Sequence, residues 1–305
     1  MILLRDNSEM TFSRQELEEM AAAVPFWFHS IDLGQGVTSK GWKSAAQLAD
    51  EFQRMRLPDL RGKSVLDINA WDGYFSFAAE RLGAKRVVAL DSYMWSMDLA
   101  EHSKYWQECK ERGVRPKPYH EMPYYKPDLL PGKIGFDTAH RALGSKVEVV
   151  VGDLMTTDLA TLGTFDVVFY LGSLYHMENP LQAMRNVAAV TKEVAIIETE
   201  AASFPSFDDR ALCEFFESDE LNGDISNWWS PNDKALAGMC RAAGFSRVDA
   251  IVDATSHTAE VSQSVSAPQK LRSTAGSTLR KFSLLKEVES ESRIIRYRAM
   301  VQAWK

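Results

Sequence analysis

The stretch VLDINAWDGYFSFAAERLGAKRVVALD, residues 65–91, decides the fold. Together with Ser64, its first residues form a short apolar run, SVLDI, that ends in an acid at Asp67 and continues into Asn69-Ala70-Trp71-Asp72-Gly73. YFSFAAERLG then has the spacing of a helix that stops at Gly83, because glycine takes the left-handed backbone that closes helices. RVVALD is a second apolar run ending in an acid, Asp91. Strand, turn, helix, strand in so few residues predicts a parallel pair with a crossover helix.

The pattern repeats outward. VEVVVGD (147–153), FDVVFYLG (165–172) and EVAIIETE (193–200) each read as a buried strand. Helices are expected over 134–143 and 181–190. RVDAIV (247–252) and RYRAMVQAW (296–304) read as two last strands, and the alternation of Tyr297, Ala299, Val301 and Ala303 suits an antiparallel final strand. Upstream, Ser13 and Glu16 fit a capping box before QELEEMAAAV, and a second helix is expected over 45–55, ending before Pro58. Between them VPFWFHSIDLGQGVTSKGW (24–42) reads as an aromatic loop that must bury its rings on the core or around a ligand. The expected organisation is an N-terminal helical cap region (1–60) and a Rossmann-like α/β domain (61–305). That domain has a mostly parallel seven-stranded sheet, an antiparallel last strand, and insertions near 105–131 and 254–290.

Composition sets the frame. The chain has 305 residues, 45% hydrophobic and 25% charged, which is ordinary for a globular protein that can bury a large core. Three widely spaced cysteines, Cys109, Cys213 and Cys240, suit a reducing compartment. MILLRDNSEM does not read as a signal peptide, and no apolar stretch reaches the roughly 18–20 residues of a membrane span. A cytoplasmic protein without a membrane partner is expected. The net charge of −7 disfavours a protein whose main task is gripping nucleic acid. The cluster Lys270, Arg272, Arg280 and Lys281 reads as a solvated face.

In open α/β sheets ligands bind at the carboxyl ends of strands. Three successive expected strands end at acids here: Asp67, Asp91 and Asp153. Gly73 gives the turn after Asp67 one permissive position, and Asn69 tolerates a left-handed backbone. Neither G-x-G-x-x-G nor a P-loop is present. Asp91 can accept hydrogen bonds from two ribose hydroxyls or cap the next helix. Asp153 can accept from an adenine amine, with the Leu154 N–H donating to the ring, or serve as a turn residue. No HExxH or paired-histidine spacing points to a metal.

These residues resemble motifs I and II of class I S-adenosylmethionine methyltransferases, and VVFYLGSLYHMENPLQAMRNV (167–187), which includes Leu171, resembles their motif IV and the helix after it. Leu174-Tyr175-His176 and WFHSIDLG (27–34) are similar to the tRNA (mo5U34) methyltransferase family. The likeness covers about Trp27 to Thr199. It departs from the family where Asn69 and Trp71 replace two glycines, so the cofactor's methionine end is expected to meet their side chains. The resemblance implies S-adenosyl-L-methionine bound by Asp67, Asn69, Trp71, Gly73, Asp91, Asp153, Leu154 and Leu171. Tyr175 and Arg298 resemble residues that hold the extra carboxylate of carboxy-S-adenosyl-L-methionine in one family member. Plain S-adenosylmethionine is the expectation and the carboxylated form the second choice.

The sulfonium makes the methyl group electrophilic, so the protein must align nucleophile and methyl and exclude water. His176 is the first candidate for base or acceptor orienter, beside Tyr175. His29, Tyr124, Tyr125, Trp228 and Arg298 are candidate acceptor contacts, and the aromatic, proline-rich stretch 105–131 can form a lid. The expected function is methyl transfer to a small-molecule acceptor, in specialised metabolism. The alternatives are a tRNA wobble-uridine methyl or carboxymethyl transferase and a non-catalytic cofactor-binding protein.

Overall fold

The computed structural model describes residues 12–114, 116–256 and 294–305. The basic cluster from Lys270 to Lys281, and most of the expected insertion at 254–290, lie outside the described residues. The chain divides into two compact units, residues 1–169 with 190–193 and residues 170–189 with 194–305.

In the first unit, α1 (Arg14–Ala23) starts at the expected capping box: Ser13 N–H donates to Glu16 Oε2 at 2.7 Å and Glu16 N–H to Ser13 Oγ at 3.3 Å. The aromatic stretch after it is partly ordered as a hairpin, β1 (Asp32–Gly34) and β2 (Val37–Thr38), turned by left-handed Gly34, Gln35 and Gly36. Trp27, Ile31 and Leu33 are buried, whereas Phe26 and Trp42 stay exposed. Gly41 passes against the His29 backbone so closely that a Cβ would lie 2.2 Å from the His29 carbonyl carbon. Any side chain there would push the two segments apart. A second capping box, Ser44 with Gln47, starts α2 (Ala45–Arg54).

The expected strands follow, with α3 and α6 where helices were expected and α4 and α5 in addition: β3 (Ser64–Ile68), α3 (Tyr74–Arg81), β4 (Arg86–Asp91), α4 (Tyr93–Ser96), α5 (Leu99–Arg112), α6 (Ile134–Ala142), β5 (Glu148–Val151) and β6 (Phe165–Leu171). β3 pairs parallel with β4, and β4 with β5. All of β3 is buried. β5 corrects the expectation of a buried strand: it ends the sheet order, and Val149 and Val151 are exposed. Tyr105 and Trp106, expected in an insertion, belong to α5. Asp166 joins the start of β6 to β3, since its Oδ2 accepts the Ser64 N–H and hydroxyl, both at 2.8 Å, and its Oδ1 accepts Lys192 Nζ at 2.8 Å.

The second unit contains a 3₁₀ turn, Leu174–His176, followed by α7 (Pro180–Val190), most of β7 (Thr191–Ser203), and the hairpin of β8 (Cys213–Phe215) and β9 (Trp229–Pro231). It ends with α8 (Asp233–Ala243), β10 (Arg247–Val252) and β11 (Ile295–Trp304). β11 runs antiparallel to both β7 and β10. The seven-stranded sheet has the order β10-β11-β7-β6-β3-β4-β5. This is the Rossmann-like arrangement expected, with an antiparallel last strand.

Candidate functional site

The turn after β3 is built from left-handed residues: Asn69 (φ 61°), Trp71 (φ 48°) and Gly73 (φ 82°). For a tryptophan this backbone is strained by about 1–2 kcal/mol. Neighbours hold it there. Asn69 N–H donates to Leu90 O at 2.7 Å, Trp71 N–H to Asp91 Oδ2 at 2.9 Å, and the Trp95 indole N–H to Trp71 O at 2.8 Å. The Trp71 ring lies flat on Phe28, with centroids 4.0 Å apart and planes 6° apart. A Cβ on Gly73 would lie 2.7 Å from the rings of Phe77 and Phe136, so glycine is required for space as well as for its backbone.

Three buried carboxylates surround this turn. Asp67 accepts the Ser76 hydroxyl at 2.5 Å, and burial pushes its pKa up to about 7. Asp72 Oδ2 accepts the Phe28 N–H at 2.6 Å and the His29 N–H at 2.9 Å. Its Oδ1 is buried with no hydrogen-bond partner, and burial raises its pKa to about 7. Asp91 is raised by burial to about 6. Its two oxygens take the Trp71 N–H and, at 3.1 Å, the Met94 N–H, so the helix-capping alternative is realised in part. Asp153 likewise forms a local turn, with its Oδ1 accepting the Met155 N–H at 2.7 Å, and Leu154 beside it is buried.

The structure moves two expected acceptor contacts into packed interiors. His29 is 5% exposed, within ring-contact distance of Phe28, Trp71, Tyr74 and Phe75. Burial, with Lys43 adding to it, lowers its pKa to about 3, so the imidazole is neutral. Tyr124 is 2% exposed and packs on His102 and Tyr105, where the ring fills the space beside α5. Tyr125 is half-buried against Tyr119.

In the second unit Leu171 ends β6 and its carbonyl accepts the Ser173 hydroxyl at 3.1 Å. The 3₁₀ turn after it presents Tyr175 and His176, whose rings lie 4.2 Å apart. Trp228 is tied to this turn, its N–H donating to Tyr175 O at 2.8 Å. Arg298, from β11, donates to the Tyr175 hydroxyl at 3.1 Å and is paired with Glu198 and Glu200 of β7. Two glutamates already neutralise that guanidinium, so a ligand carboxylate placed there would meet net negative charge. Burial lowers the pKa of His176 and Asp224 opposes the shift.

Asp72, Glu198, Glu200, Asp224 and Ser226 were not legible as site residues. Asp72 had one available signal, its place inside the turn, whereas the others meet their partners only through tertiary packing.

Residues 42–250 match the family described as methyltransferase domain. That span is more than half of the chain. The chain belongs to this methyltransferase family. Among solved structures, this methyltransferase is similar to the N-terminal domain of EvdMO1, solved in the presence of SAH and D-fucose. The two share 15% identity over 98% of this chain and 99% of that one, with a TM-score of 0.54. The same domain with SAH bound gives a TM-score of 0.54 at 14% identity. Against the full EvdMO1 chain the identity is 16% and the TM-score 0.50, and the match covers 49% of that chain. At these identities the likeness establishes the fold. No curated protein matches the sequence.

The turn of this methyltransferase suits a cationic cofactor. Burial raises the pKa of its three acids, and Asp72 Oδ1, which has no hydrogen-bond partner among the described residues, can still accept one. Among the described residues, no group of three or more His, Cys, Asp or Glu can hold a metal ion, and no helix is long and apolar enough to cross a membrane.

Proposed function

We propose that this methyltransferase moves the methyl group of S-adenosyl-L-methionine to a small-molecule acceptor. The observation that carries the reading is the left-handed turn Asn69–Gly73 with Asp67, Asp72 and Asp91 buried around it in a chain of this family. S-adenosylmethionine carries a sulfonium and an ammonium, and buried carboxylates favour such groups by charge. When bound, the cofactor supplies an electrophilic methyl group.

Asp67, Asn69, Trp71 and Gly73 are assigned to the methionine end, and Asp91 to the ribose through oxygens that the turn already orients. Asp153 and Leu154 are assigned to the adenine. Tyr175 and His176 are assigned to the acceptor, with Trp228 and Tyr125 as further contacts. Arg298, being paired with Glu198 and Glu200, is assigned to holding Tyr175 in place, which favours the plain cofactor over the carboxylated one.

A small acceptor, as in specialised metabolism, is supported by the net charge of −7 and by EvdMO1, whose N-terminal domain was solved with D-fucose. The test is calorimetric titration with S-adenosylmethionine, then transfer of labelled methyl to D-fucose, catechol, ethanolamine, 2-mercaptoethanol and bulk tRNA. Binding with transfer to a small molecule supports the reading. Transfer to tRNA alone overturns the acceptor class, and no binding at millimolar cofactor overturns the reading whole.

A further inference from the structure

We propose that Ser226 and Asp224 are positioning residues that set His176 as a proton acceptor through Nε2, and that the acceptor group is a hydroxyl. The inference rests on the methyl-transfer reading above and adds the chemical class of its acceptor.

The geometry fixes where the imidazole proton lies. His176 Nδ1 is 3.1 Å from the Ser226 carbonyl oxygen and 3.0 Å from the Ser226 hydroxyl. A carbonyl oxygen only accepts. The hydroxyl lies 2.6 Å from Asp224 Oδ1, a carboxylate that also takes the Ser226 N–H at 2.8 Å. The hydroxyl proton therefore points at Asp224 and its lone pair faces His176. Both neighbours require a hydrogen on Nδ1, so the Nε2 of the neutral ring carries the lone pair. No hydrogen bond to Nε2 is formed among the described residues. The adjacent 3₁₀ turn is held by His176 N–H donating to Ser173 O at 3.1 Å and by the Trp228 to Tyr175 bond, so the ring is fixed from both sides.

The charged surroundings fit the same role. Asp224, behind the Ser226 hydroxyl, favours the imidazolium that forms when Nε2 takes a proton. The Tyr175 ring lies tilted by 41° against the imidazole at 4.2 Å, and Arg298 beyond it, paired with Glu198 and Glu200, acts against the imidazolium and is opposed by Asp224. Lys and Arg side chains make no hydrogen bond to His176 among the described residues.

This arrangement suits a hydroxyl acceptor. When a neutral hydroxyl attacks the methyl group, an O–C bond forms, the S–C bond breaks with its electron pair going to sulfur, and the hydroxyl proton must leave. His176 Nε2 takes that proton and Asp224 stabilises the resulting cation. A thiolate, or an amine that is already neutral, attacks with a free lone pair and gains far less from a fixed base.

Two-dimensional ¹⁵N–¹H NMR of the imidazoles tests the geometry, with His176 assigned by the signal lost in His176→Gln. The expected result is the Nδ1–H tautomer in the neutral ring, and a three- to tenfold (about 0.5 to 1 pKa unit) loss of proton affinity in Asp224→Asn. The Nε2–H tautomer, or a titration unchanged by Asp224→Asn, overturns the proposal. Labelled methyl transfer to the same four small-molecule probes tests the chemistry. His176→Gln is expected to lower kcat for D-fucose or catechol by about 10²- to 10⁴-fold. Ser226→Ala is expected to lower kcat, with KM held and with Ser226→Thr restoring the rate and pH profile. Faster transfer to the nitrogen of ethanolamine or the sulfur of 2-mercaptoethanol, read from the methylated product, than to either D-fucose or catechol overturns the acceptor class. Each variant is titrated with S-adenosylmethionine. Unchanged cofactor affinity shows an intact fold and separates failure of this proposal from failure of the methyl-transfer reading, in which the parent chain would not bind the cofactor at all.

Discussion

Trp71 and Phe28 lie face to face, their ring centroids 4.0 Å apart, and this contact joins the N-terminal segment to the turn after β3. An aromatic pair of this kind contributes about 0.5–1.5 kcal/mol beyond its buried area. A double-mutant cycle of Trp71→Gly and Phe28→Ala, read by urea unfolding, is therefore expected to give a coupling of about 1 kcal/mol. Trp71→Gly alone is milder than an ordinary loss of a tryptophan, because glycine relieves the left-handed backbone. Additive effects of the two substitutions would remove the stack as a stabilising contact.

His29 makes the fold acid-sensitive. Its pKa is about 3 in the folded chain, through burial and Lys43, against about 6.5 when unfolded. Between those values the unfolded chain binds the extra proton. His29 therefore contributes its full stability above about pH 6.5 and loses it as pH falls toward 3. From pH 7.5 to 4.5 the stability advantage of the parent chain over His29→Gln is expected to shrink by on the order of 2 kcal/mol. A pH-independent difference would exonerate this residue.

Cofactor affinity is expected to rise with pH. Asp67 and Asp72 have pKa values near 7 and Asp91 near 6, all raised by burial. A cationic ligand favours the ionised acids and lowers those values, so the free protein binds more protons and complex formation releases them. S-adenosylmethionine should bind more tightly from pH 6 to 8, by up to about tenfold per pH unit for each proton released. Calorimetry in two buffers of different ionisation enthalpy counts the protons, and Asp72→Asn should reduce the number. A flat profile with no proton release would sink the assignment of these acids to the cofactor.

Arg298 is expected to be a structural cation. Its side chain is 38% exposed, so Arg298→Ala should cost on the order of 2 kcal/mol, less than the roughly 3–5 kcal/mol of a fully buried pair. Carboxy-S-adenosyl-L-methionine should bind no more tightly than the plain cofactor, because Glu198 and Glu200 repel its added carboxylate. Preferential binding of the carboxylated form in a competition assay would show that Arg298 turns away from its glutamates to meet it.

The fold was legible because burial and periodicity are local signals. SVLDI and RVVALD are continuous apolar runs, and Ser13 with Glu16 and Ser44 with Gln47 carry helix starts in four residues each. What the pattern missed depends on neighbours far along the chain. The valines of β5 look buried by composition, but the strand ends the sheet. His29 and Tyr124, expected as acceptor contacts, are buried by packing that no local pattern announces. Asp224 and Ser226 are unremarkable in a polar stretch, and gain meaning only when the chain brings them 50 residues back to His176.

The strained turn also has a kinetic meaning. Asn69 tolerates the left-handed backbone but Trp71 has no intrinsic preference for it; Leu90, Asp91 and Trp95 impose it from β4 and α4. Those partners must be in place first. The turn should therefore be a late event of folding, with substitutions at Trp71 speeding unfolding while leaving the folding rate almost unchanged, a φ-value near zero. A ligand that clasps this turn would then act chiefly as a brake on unfolding, lengthening the lifetime of the native chain without hastening its birth.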